Sequence, residues 1–131
     1  MAVNARATLL LIAGFARQVP DTGGAIVALT SDHTTGNLPY GASKGALDRI
    51  VMSAARELGP RRISANVVNP GLIDTGWMEE KLRVALAAEH PLGRLGTPTD
   101  IGAIVAFLVS PAGRWISGQL LQPEGGYSAR L

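Results

Sequence analysis

The chain has 131 residues, 47% hydrophobic and 17% charged, with a formal net charge of +2. That balance excludes a disordered chain, and the basic residues, densest only at Arg61-Arg62, form no stripe for gripping nucleic acid. The absence of cysteine excludes disulfides, thiolate metal sites and cysteine nucleophiles.

In chain order, residues 2–18 carry a helical pattern, with Leu9, Ile12 and Ala16 on one face and Leu11 and Phe15 beside it. The apolar run at 8–16 follows Arg6 as a signal peptide's would, but it has no small-residue cleavage site and is too short to span a membrane. It reads as a buried helix. Residues 20–24 break the chain, and the apolar run 25–30 suits a strand covered on both faces, as in a parallel sheet. Residues 31–39 are polar and loop-like. A helix over 40–58 follows, with Leu47, Ile50, Val51, Ala54 and Leu58 on one stripe and Gly59-Pro60 as its stop. Residues 63–68 form a second strand ending at Asn69-Pro70-Gly71. A short helix is expected over 78–89. Another starts at Thr97-Pro98-Thr99-Asp100, where Thr97 can cap, Pro98 fits the first helical position and Asp100 meets the dipole. Pro111-Ala-Gly113 ends it, and residues 119–122 give a third strand.

Helices alternating with strands predict an α/β fold: a partial Rossmann-like, doubly wound parallel sheet of about three strands with flanking helices, in one domain over 1–131. The low charge leaves apolar surface for a partner or a second subunit.

Tyr40-Gly-Ala-Ser-Lys44 is the strongest chemical signal. Residues four apart on a helix lie one turn apart on one face, so the Lys44 ammonium can act near the Tyr40 phenol. A nearby cation favours phenolate, and a tyrosine so tuned can exchange a proton with a carbonyl or alcohol oxygen. The pair opens a helix just after a strand and loop, and open parallel sheets place their sites at the C-terminal strand ends. Ser31 ends that strand, where its hydroxyl can donate to a substrate oxygen or simply start a turn. Ser31-Asp32-His33 contains hydrolase residues, but consecutive residues cannot form a relay among themselves. His33 and His90 lack metal-ligand spacing, and no metal is expected.

Residues 24–31 (GAIVALTS), Tyr40-Gly-Ala-Ser-Lys44, and Asn69-Pro-Gly71 with Thr75 together resemble the short-chain dehydrogenase/reductase family, in order, context and approximate spacing. The closing segment agrees: Gly93-Arg-Leu-Gly-Thr-Pro98, Asp100-Ile101, Phe107-Leu108, Gly118 and Gly125-Gly126. The resemblance implies an NAD(P)-dependent oxidoreductase that passes hydride between nicotinamide and a carbonyl or secondary alcohol. In it Tyr40 is the acid/base, Lys44 tunes the phenol and holds the nicotinamide ribose, Ser31 orients the substrate, and Asn4 holds a relay water. Pro70, Gly71, Ile73 and Thr75 would lie against the nicotinamide, with Thr75 on its carboxamide. Trp77 and Met78 fall where the family lines its substrate pocket, and they serve there or in the core. Helices 2–18 and 40–58 resemble those used for subunit packing, so a homo-oligomer is expected. A cytoplasmic protein without membrane or nucleic-acid partners follows.

Two features depart from the pattern. Tyr40 follows Ser31 by nine residues, closer than the family usually has it; either the loop is shortened, or Thr30 or Ser43 confuses the alignment. No glycine-rich turn after a first strand occurs to cradle the pyrophosphate. The chain is therefore expected to be the C-terminal part of such a protein, with NAD or NADP undecided and cofactor binding by the short chain in doubt. The alternative is a non-catalytic remnant or oligomerisation module that binds no nucleotide.

Overall fold

The computed structural model of the protein describes residues 1–32 and 36–129; His33 lies outside them. The first helical stretch starts as a π-helix, Ala2–Ala7, and continues as α1, Thr8–Gln18. Then come β1 (Gly24–Leu29), α2 (Leu38–Glu57), β2 (Ile63–Val68), α3 (Glu80–Glu89), α4 (Pro98–Val109) and β3 (Leu120–Leu121). The strands form a parallel sheet in the order β1-β2-β3, with Gly24 opposite Ile63, Leu29 opposite Val68, and Val68 opposite Leu121. The expected α/β class and three-stranded parallel sheet are present.

Strand alternation explains how the sheet is covered on both sides. On one face, Ala65 and Val67 of β2 pack with Ile12 of α1 and Leu47, Val51 and Ala54 of α2, and Ile26 and Ala28 of β1 join them. On the other, Val68 packs with Ile101 and Leu108 of α4, joined by Val27 and Leu121. Every residue of β2 is buried, as expected of a central parallel strand. Fully buried Asn66 fixes the third strand: its Nδ2 donates to the Ile116 carbonyl at 2.7 Å, and its Oδ1 accepts from Gln119 N at 3.1 Å.

Several boundaries differ from expectation. The second helix takes in Leu38 and Pro39, because a proline in the first turn gives up an N–H that has no intrahelical partner there. Tyr40 therefore lies inside that turn. The third helix begins at Glu80 rather than 78. The third strand shrinks to two residues, pinned by Asn69 N donating to the Leu121 carbonyl. The first helix is not buried: only Ile12 and Ala16 are covered, while Leu9, Leu10 and Leu11 are exposed. One sheet face can cover only a narrow stripe of a helix, and an apolar run wider than that stripe must leave residues outside. No helix among the described residues is long and apolar enough to cross a membrane.

Candidate active site

Because the strands are parallel, residues 30–31, 69–71 and 123–126 all leave the same edge of the sheet. Backbone bonds hold two of these exits together: Thr30 N donates to the Val68 carbonyl at 2.9 Å, and Asn69 N to the Leu121 carbonyl at 2.8 Å.

Lys44 lies one turn beyond Tyr40 on α2. Its Nζ donates to the Leu29 carbonyl, at the end of β1, at 2.8 Å and stands 5.8 Å from the centre of the Tyr40 ring. An ammonium at that distance from an aromatic face is attracted by the ring quadrupole. The strand end thus fixes the lysine, and the lysine accompanies the tyrosine. The Tyr40 side chain is partly exposed at this edge.

A short polar chain ends on the Tyr40 backbone carbonyl. Asn4 Nδ2 donates to Ser43 Oγ at 3.0 Å, and Ser43 Oγ donates to the Tyr40 carbonyl at 2.7 Å. Ser43 is buried, its hydroxyl engaged with both neighbours. That engagement ties Ser43 to the helix backbone rather than to the open edge. Thr30 is also buried, and its Oγ1 has no hydrogen-bond partner among the described residues. Ser31, beside it, is half-buried at the strand exit.

The segment after β2 is braced rather than loose. Gly71 has φ 67°, a left-handed conformation that favours glycine, and its N–H donates to Asn69 Oδ1 at 3.3 Å. Ile73 forms an isolated parallel bridge with Gly96, flanked by Gly96 N donating to the Leu72 carbonyl at 3.0 Å and Asp74 N to the Gly96 carbonyl at 2.8 Å. Thr75 is exposed beyond this bridge, and Trp77 is 92% exposed, which excludes it from the core. Across from the bridge, Arg94 donates Nη1 and Nη2 to Asp100 at 2.8 and 3.1 Å, and Thr97 N and Oγ1 donate to the same carboxylate. The Arg94 and Thr97 hydrogen bonds hold the Asp100 carboxyl well below the usual carboxylate range.

The structure therefore brings Tyr40, Lys44 and, through Ser43, Asn4 into one connected group. Pro70 and Gly71 stand at the neighbouring strand end. Two members have little sequence signal. The Leu29 carbonyl that holds Lys44 is backbone, so its residue type says nothing of its role. Ser43 is visible inside Tyr-x-x-Ser-Lys, but its link to Asn4 spans 39 residues.

The chain is similar to known proteins over nearly its whole length. The family profile described as enoyl-(acyl carrier protein) reductase matches residues 1–128. Over 96% of its length the chain is 41% identical to the uncharacterized oxidoreductase YjdA of Bacillus subtilis (strain 168), covering 53% of that protein. It is 34% identical to dehydrogenase/reductase SDR family member 4 of Sus scrofa, with 98% of this chain and 50% of the relative aligned. Among solved structures, the angucycline C-6 ketoreductase LanV with bound NADP superposes with a TM-score of 0.83 at 37% identity, over 96% of this chain and 51% of that one. The chain spans about half the length of the curated relatives it matches.

Proposed function

The chain belongs to the short-chain dehydrogenase/reductase family, and from that membership we propose that it provides the proton-transfer side of an NAD(P)-dependent oxidoreductase. The substrate class is a small molecule bearing a carbonyl or a secondary alcohol. The observation that carries this reading is the Lys44 ammonium, tethered to the end of β1 and 5.8 Å from the Tyr40 ring.

The residues present suit a nicotinamide riboside. Lys44 spends one of its three protons on Leu29, which leaves two for ribose hydroxyls. Gly71 presents bare backbone at the next strand end, with the backbone of Ile73 and the exposed Thr75 hydroxyl beyond it. The dinucleotide, when bound, supplies or accepts the hydride. Tyr40 gives its phenolic proton to the substrate oxygen in reduction and takes one in oxidation. Lys44 stabilises the phenolate left behind. Ser31 donates to the substrate oxygen and fixes its position. Asn4 belongs to the same proton path and orients a water behind Tyr40. No G-x-G motif occurs anywhere in the chain, so none of its turns offers the usual pyrophosphate cradle.

The test is titration of the full-length protein with NADPH and NADH, followed by nicotinamide fluorescence. NADPH comes first because LanV holds NADP. Saturable binding is expected. No saturation up to about millimolar, the weak end of specific affinity, would favour the alternative of a module that keeps these residues without holding nucleotide. We also propose self-association through α1 and α2. It is supported by a groove lined by Leu9, Ile12, Ala13, Ile50, Ala54 and Leu58.

A further inference from the structure

The residues beyond β3 fold back over the turn that follows β2. A Cβ on Gly71 would stand 2.7 Å from Glu124 Cβ, so the two turns touch at this point. The second turn is built on Gly125 (φ 63°) and Gly126 (φ 85°). Glu124 closes it: its Oε1 accepts from Ser128 N at 2.8 Å and from the Ser128 hydroxyl.

Beneath this turn lies His90, buried to 6% exposure at the end of α3. Its ring stacks on Tyr127, with centroids 5.6 Å apart and planes inclined by 23°. Its Nδ1 accepts from Leu92 N at 3.5 Å. A Cβ on Gly125 would lie 2.6 Å from His90 Cε1, so the turn rests directly on the imidazole. A cavity of about 220 Å³ lies beside this contact, and Pro70, Leu72, His90 and Glu124 are among the residues that line it. The contacts run in one line: His90 to Gly125 and Tyr127, Glu124 to Gly71.

We propose that His90 is a positioning residue for the Pro70-Gly71 turn. It acts through residues 124–128, which it seats by stacking and contact, and it thereby sets the backbone offered to the nicotinamide. This inference rests on the reading that residues 70–75 meet that group. The one imidazole meets both Gly125 and the Tyr127 ring. The Nδ1 acceptor adds a hold on the 90–93 corner, where Gly93 N also donates to the His90 carbonyl at 2.8 Å.

The experiment is hydrogen–deuterium exchange on the full-length protein, comparing wild type with His90→Ala, His90→Phe and Ser128→Ala. Segments 124–129 and 69–76 are followed, with 63–68 as the internal reference. His90→Ala is expected to speed exchange in 124–129 and 69–76 together by about tenfold while 63–68 stays protected. The NADPH dissociation constant should rise by about the same factor, because turn ordering and binding are linked. His90→Phe keeps the stack and restores most of the protection. Ser128→Ala, at an exposed residue, removes the hydroxyl bond to Glu124 and keeps the Ser128 N bond, so it loosens both segments by a smaller factor even where His90→Ala does not fold. Faster exchange in 124–129 with 69–76 unchanged would overturn the proposal, as would equal loosening of 63–68. Protection of 69–76 by NADPH in the wild type is read separately. Its absence removes the nicotinamide contact, and the positioning role with it, even where the two turns prove coupled.

Discussion

Lys44 is held twice, by a carbonyl at the strand end and by the face of Tyr40. A residue with that many constraints is set for a geometric task rather than for solubility. Tyr40→Phe keeps the ring, its packing and the contact with Lys44, and it removes only the hydroxyl. Turnover in the full-length protein is therefore expected to fall by about 10²–10⁴-fold, the range for losing a general acid/base, with the melting temperature unchanged. Lys44→Met is expected to lower turnover and also weaken dinucleotide binding, since the proposed function gives the ammonium both tasks. Steady-state kinetics on a model ketone check both variants; wild-type turnover in Tyr40→Phe would remove the phenol from the reaction. The Tyr40-Lys44 pair is legible in the sequence because helical spacing alone puts the two on one face. The Asn4–Ser43–Tyr40 chain is legible only in part. It depends on the π-helical stretch Ala2–Ala7 meeting α2, which no local pattern encodes.

At the scale of elements, α4 is set by its first turn. Thr97 Oγ1 accepts from Asp100 N at 3.2 Å while Asp100 Oδ2 accepts from Thr97 N at 2.8 Å, a reciprocal capping box. Thr97→Ala is expected to cost about 1 kcal/mol, which lowers the unfolding midpoint by roughly 3–5 °C for a chain of this size. Asp100 adds a pH dependence of known sign. Its folded carboxyl is held low by Arg94 and Thr97, so its contribution is present above the unfolded value of about 3.9 and is lost as pH falls below that. Asp100→Asn is thus expected to melt earlier than wild type at neutral pH, with the difference shrinking in acid. A difference that stays constant through acid would exclude the ionised carboxylate as its source. This helix start is legible because caps, prolines and acidic first turns are local chemistry. The strand at 63–68 is legible for a similar reason, since a short apolar run between turn signals has few other fates. The ends of α2 and β3 are not. Pro39 is compatible with both a loop and a first helical turn, and β3 pairs only with Val67 and Val68 of β2 because, one step earlier, Ala65 is met by Gly118 N and the Ser117 hydroxyl instead of by a strand.

At the scale of the molecule, the unresolved balance is apolar surface. Leu9, Leu10 and Leu11 are 56%, 55% and 73% exposed along α1. The groove between α1 and α2 is walled by Leu9, Ile50 and Leu58, with Arg49 and Glu57 also lining it. A contiguous apolar groove with charged residues alongside matches an interface better than a solvated face. Paired about a twofold axis, such a groove would meet its own copy. Leu9 is the residue to alter, because it is exposed enough that a charge there costs the fold little. On the proposed self-association, Leu9→Arg is expected to leave the melting curve of a dilute sample nearly unchanged and to lower the mass of the assembly. Light scattering coupled to size-exclusion chromatography reads the mass directly. A variant that keeps the wild-type mass across a hundredfold range of concentration, about 2.7 kcal/mol in association free energy, would put the contact on another face.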